Sequence, residues 1–127
     1  MKTLNQVKSV EDIESSEHLD ALMEEIRALA DIHTENVVNE TYGGNWEFFP
    51  CGFAWVKVNA DGRSKIGRML KKSESFSPCW DKGFRTGATS GKVRSIQTMD
   101  IKEVWTRFAA EEMRKIGLSA FSMTRID

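Results

Sequence analysis

Between Pro50 and Val58 the chain reads P-C-G-F-A-W-V-K-V, with Phe53, Trp55 and Lys57 alternating with Ala54, Val56 and Val58. Successive side chains of an extended segment point to opposite faces, so one face carries two aromatic rings beside a cation. The other face is small and apolar and can take a helix. Rings that stack, next to a positive charge, suit a planar anion, which makes the first face the candidate ligand surface. Arg125 adds a planar fork that binds phosphate or carboxylate in bidentate fashion, and Gln97 can read a base edge. Lys102 and Asp127 fall at a helix start and a strand end, where sites gather in layered folds. Arg68 lies in a basic helical stretch and Lys92 closes a loop rich in glycine and hydroxyl residues. The candidate ligand-binding set is therefore Trp55, Lys57, Arg68, Lys92, Gln97, Lys102, Arg125 and Asp127.

Other chemistries find less support. Cys51 as nucleophile with His33 as base is conceivable, but no spacing pairs them, and Glu103 or Asp127 as general base is equally unsupported. No catalytic residue is assigned. Two histidines and two cysteines without C-x-x-C or H-x-x-x-H spacing give no zinc site, and no cofactor is expected. Thr86-Gly87-Ala88-Thr89-Ser90-Gly91-Lys92 resembles a phosphate-binding loop only superficially, because Lys92 is followed by Val93 and a strand is expected after it. The loop can still offer a nest of backbone amides to an anion, with Trp80 and Phe84 available to stack. A competing reading makes Lys102, Glu103 and Arg125 a structural ion-pair network completed by Asp127.

The net charge of −1 conceals a separation along the chain. Residues 1–50 hold three basic and eleven acidic side chains, a net of −8, whereas residues 57–94 hold ten basic and three acidic, a net of +7. Either the middle meets an anion, or the two segments neutralise one another within the fold or across a dimer. The near-neutral total argues against nucleic acid as the partner. No apolar run approaches the ~20 residues that span a bilayer, and the acidic start is unlike a cleavable leader, so a cytoplasmic setting is expected.

The positioning elements follow from periodicity. Ser15 or Ser16 caps a helix whose apolar stripe runs through Leu19, Leu22, Met23, Ile26, Leu29, Ala30 and His33 to about Val38. Asp20, Glu24, Glu25, Arg27 and Asp31 occupy its other side. Glycines 43 and 44 then turn the chain into the central strand. Ser64 caps a basic helix from Lys65 to about Lys72, residues 73–95 are loose, and Val93 to Met99 reads as a strand. Asp100 and Glu103 form a capping box for a helix to about Ile116 that buries Val104, Trp105, Phe108, Ala109 and Met113, and Gly117 stops it. Ser119 to Asp127 closes the chain as a strand. The expected fold is a single α+β domain over residues 1–127, with a flexible start over 1–15. It has a small sheet with helices packed on one face, in the order α-β-α-β-β-α-β.

The motifs P-C-G-F-A-W-V, Q-T-M-D-x-K-E at Gln97–Glu103 and S-M-T-R-I-D at the carboxyl end resemble a family of small proteins of tailed bacteriophages. That family shows Ser where this chain has Thr98, and S-R-x-D where it has Thr124 to Asp127. The resemblance covers roughly residues 48–127 and brings no activity with it. It implies a phage-encoded protein in the host bacterial cytoplasm. Joined to the residue chemistry, it makes the expected function capture, by a homo-oligomer, of a phosphorylated, nucleotide-derived small molecule, with a host-defence signal as the candidate ligand. The alternative is an inhibitor or adaptor that binds a host protein through its acidic helix or basic face.

Overall fold

The computed structural model describes residues 1–79, 82–89 and 91–127. Two 3-10 turns, Leu4–Gln6 and Val10–Asp12, precede α1 (Ser16–Thr41), β1 (Gly52–Asn59), α2 (Lys65–Lys72), β2 (Ser77–Pro78) and β3 (Phe84–Thr86). A short α3 (Gly91–Ser95), α4 (Met99–Lys115) and β4 (Ser119–Ile126) complete an α+β fold. The four strands form one antiparallel sheet in the order β2-β3-β1-β4.

The alternation in β1 fixes its two faces. Val56 and Val58 are fully buried, whereas Phe53 stays exposed on the outer face. On the buried side α4 lies against β1 and β4, and α1 packs across α4 and α2. Trp105 sits at the centre with no exposed surface, its indole Nε1 donating to Asp31 Oδ1 at 2.8 Å. A buried indole N–H needs such an acceptor, so the same contact that fills the core also sets α1 against α4.

The chain start forms part of this core, where a flexible segment was expected. Leu4, Val7, Val10 and Ile13 recur every three residues, the period of a 3-10 turn, and Val7 and Ile13 are buried. Fully buried His18 anchors the segment: the Glu14 amide donates to Nδ1 at 3.0 Å and Nε2 donates to the Lys2 carbonyl at 2.7 Å. His33, expected on the buried stripe, is exposed and stacks on Phe108 with centroids 4.6 Å apart. Leu29, from the same stripe, is 41% exposed.

Residues 93–99 correct another expectation, since Val93 belongs to α3 and strand character is confined to an isolated bridge between Cys51 and Thr98. A five-residue helix lies below the length at which periodicity identifies one. Asp100 and Glu103 also do not cap α4. Thr98 is the cap residue, and its hydroxyl, buried within the fold, accepts from the Phe48 amide at 3.1 Å and donates to the Trp46 carbonyl at 2.7 Å. Asp100 sits inside the first turn, where a carboxylate still complements the helix dipole. Val104 and Phe108 are half-buried rather than buried.

At α2, Ser64 caps as expected, accepting from the Gly67 amide at 3.0 Å and donating to the Asp61 carbonyl at 2.6 Å. A Cβ added at Gly67 would lie 1.9 Å from the Asp61 carbonyl oxygen, so only glycine lets the helix start this close to the turn. Gly67→Ala should lower unfolding stability by about 1–3 kcal/mol in urea titration. Gly87→Ala, where an added Cβ meets nothing within 4 Å, should change it by less than about 0.5 kcal/mol.

Candidate functional site

The outer sheet face is assembled by register. Phe53 pairs with Arg125, Trp55 with Met123, and Lys57 with Phe121 on one side and Arg85 on the other. Phe53, Phe121 and Met123 are 45%, 47% and 40% exposed. Two cations share the Phe53 ring: Arg125 lies 5.5 Å from its centroid and Lys102 Nζ 5.4 Å. Lys102 is held there by donating to the Gly52 carbonyl at 3.0 Å. The ring face compensates each charge only partly, so the pair leaves net positive potential at this end of β1.

Beside these residues β3 ends at Thr86, and the chain turns away while β1 continues toward Gly52. The space left is a cavity of about 520 Å³, within the ~300–1,000 Å³ usual for small-molecule sites. Phe53, Trp55, Arg85 and Arg125 supply rings and guanidinium groups, Ser75, Ser77 and Thr89 supply hydroxyls, and Glu74 adds one carboxylate. A smaller cavity of about 140 Å³ adjoins it, sharing Phe53, Ala54, Gly87 and Ala88 and adding Arg94 and Lys102.

Two residues of α1 set the rim. Arg27 reaches across to donate to the Ser75 carbonyl at 3.3 Å, the Ser75 hydroxyl at 3.4 Å and the Thr86 hydroxyl at 3.2 Å. Burial pushes the Arg27 guanidinium below its ordinary value, against the pull of Asp20, Glu24 and Asp31, and it stays charged. Asp20 accepts from the hydroxyls of Ser73 and, at 2.9 Å, Ser75, and from the Glu74 amide at 3.4 Å. Burial pushes the Asp20 carboxyl up, but those hydrogen bonds outweigh it and hold the group below its ordinary value.

Of the candidate residues, Trp55 and Arg125 line the larger cavity, Lys102 the smaller, and Lys57 stands on the same face. The others lie apart. Arg68 donates to the Arg63 carbonyl and lines a groove with Glu14 and Glu17, so the basic face of α2 meets acids of the helix start. Lys92 lies 5.1 Å over the Trp46 ring. Gln97 offers its carbonyl to the Gly52 amide at 2.9 Å, and the Asp127 amide bonds the Cys51 carbonyl at 3.1 Å. Glu103 pairs with Arg107 at 3.4 Å, and Lys102 and Arg125 meet at Phe53, so the ring takes the place of the expected carboxylate network.

Phe84 is buried on the helix side and offers no stacking surface, and Trp80 lies outside the described residues. Cys51 bridges Thr98 while His33 stacks on Phe108, ten residues along α4 and so about 15 Å away. That separation leaves the thiol without this imidazole as base. Arg85 was missed although Phe84-Arg85-Thr86 alternates, because three residues are too short a strand to stand out. Arg27 was assigned to the solvated side of α1, and nothing local distinguishes it from its neighbours there.

Comparison with known protein families, curated proteins and solved structures gives no match. The chemistry of the site therefore rests on its own geometry.

Because the folded Asp20 carboxyl lies below its ordinary value of 3.8, it contributes stability above that pH and loses it as pH falls through the lowered value. Asp20→Asn should be less stable than the parent near neutral pH, with the difference closing below about pH 3.8. Urea midpoints measured from pH 2 to 7 check this; a constant difference across the range would refute the carboxylate's role.

Proposed function

We propose that the protein binds a phosphorylated, nucleotide-type small molecule at the gap beside β1. The observation that carries this reading is the cavity whose walls combine Arg85 and Arg125 with Phe53 and Trp55. Strand spacing puts the Cα atoms of the two arginines roughly 16 Å apart on a diagonal across the cavity, within reach of opposite ends of a nucleotide. Guanidinium forks suit phosphate oxygens, and the rings suit a base. Resemblance to tailed-phage proteins supports a setting in the host bacterial cytoplasm, where capture would blunt a nucleotide-derived defence signal. The outer edge of the eight-residue β4, beyond Ala120 whose carbonyl accepts from Arg114 at 2.7 Å, is the surface on which a homo-oligomer would assemble. A second reading, docking on a host protein, draws on exposed Phe121, Met123 and Ile126 along that strand.

Calorimetric titration with nucleoside monophosphates and cyclic dinucleotides tests the proposal. Arg125→Ala or Trp55→Ala should each weaken binding about 10–100-fold, the value of a charge-assisted hydrogen-bond pair or a stacked base. Arg68→Ala, remote from the cavity, should change affinity less than about twofold and serves as a charge control. Absence of heat and of thermal stabilisation with every nucleotide would overturn the proposal and favour host-protein docking.

A further inference from the structure

We infer that the cavity reads a nucleobase by its Watson–Crick edge through the backbone of Ala54, an inference that rests on the nucleotide reading above. The hydrogen-bond phase of β1 follows from its ends. The Cys51 carbonyl accepts from the Asp127 amide at 3.1 Å, so the odd-numbered residues of this strand turn their N–H and C=O groups toward β4. The even-numbered residues turn theirs the other way. The Gly52 amide donates to the Gln97 carbonyl at 2.9 Å and the Gly52 carbonyl accepts from Lys102 Nζ at 3.0 Å. Val56 and Val58 pair with Thr86 and Phe84.

Ala54 falls between, after β3 has left. Among the described residues no backbone or side-chain group bonds its outward N–H or C=O. Ala54 is half-buried and lines both cavities, so a donor and an acceptor, side by side on one residue, face the space that the rings and guanidinium groups surround. A polar backbone pair in that position is costly unless water or a ligand completes it.

The gap is one residue long. Gly52 and Val56, its neighbours on that edge, are already bonded, and the interval between them is about 13 Å. An added peptide strand would need Gly52 or Val56 as a second rung, which excludes ordinary strand addition. A compact planar group with one acceptor beside one donor fits, as the Watson–Crick edges of bases do. Beside this plane Phe53 and Trp55 line the larger cavity, Val93 the smaller, and Ala88 both.

The test compares AMP with N6,N6-dimethyl-AMP, GMP with N1-methyl-GMP, and both sets with ribose 5-phosphate on the unaltered protein. Edge methylation should weaken binding of whichever parent binds by at least about tenfold, to the level of ribose 5-phosphate. Ala54→Pro, which removes the N–H but no ladder bond, should produce the same loss and abolish discrimination between parent and methylated nucleotide. If methylated nucleotides and ribose 5-phosphate bind as tightly as the parents, the edge reading is overturned while phosphate capture stands. If none of them binds, the nucleotide reading itself fails, and this inference with it.

Discussion

A half-buried guanidinium must be solvated by protein dipoles, and in this fold that requirement decides where the sheet stops. Arg27 leaves the face of α1 to take the Ser75 carbonyl and the Thr86 hydroxyl, the two points at which the β2–β3 ribbon meets its flanking chain. The ribbon itself is short, two and three residues, and makes few bonds of its own. A short ribbon is marginal alone, so its position is dictated by the helix behind it. Asp20, about two turns earlier on α1, holds Ser73 and Ser75 from the other side. The cation and the carboxylate together fix the segment without pairing directly: the carboxylate accepts from hydroxyl and backbone groups, and the guanidinium donates through both Nη atoms while its buried Nε is left without a partner. The gap beside Ala54 exists because β3 is held in place and ends there.

The charge separation along the chain resolves into two arrangements. The cations of α2 share grooves with Glu14 and Glu17, so that part of the positive segment is answered by the acidic one. Arg85 and Arg94 face the cavities instead, joined by Arg125 and Lys102 from the carboxyl-terminal third. Among the described residues Glu74 is the one acid lining those cavities. Such an excess at a concave, partly apolar surface attracts anions more strongly than the net charge of the chain suggests, because field lines concentrate where solvent is partly excluded.

Legibility followed chain locality. The Ser15 and Ser64 caps and the Gly117 stop rest on groups within a few residues of each other, and so could be read directly. The two faces of β1 and β4 were equally legible, because alternation against a helix layer leaves one assignment. The cap of α4 was misplaced because Thr98 is satisfied by Trp46 and Phe48, some fifty residues away, and its sequence neighbours Asp100 and Glu103 imitate a capping box. His18 and His33 exchanged roles for a related reason: burial of His18 depends on the amino-terminal turns folding back onto α1.

The sequence by itself determined the fold class and the central strand with its aromatic and cationic face, Trp55 included, because period and capping act over single elements; strand pairing and helix packing brought Arg125 and Lys102 to Phe53. Tertiary structure alone decided that Arg68 and Lys92 stand away from the cavity and that Arg85 lines it. It alone made Arg27 a support rather than a surface charge and left the Ala54 edge open. Those outcomes depend on where a three-residue strand pairs and ends, which is set by contacts from a helix almost sixty residues earlier. No local pattern carries that information.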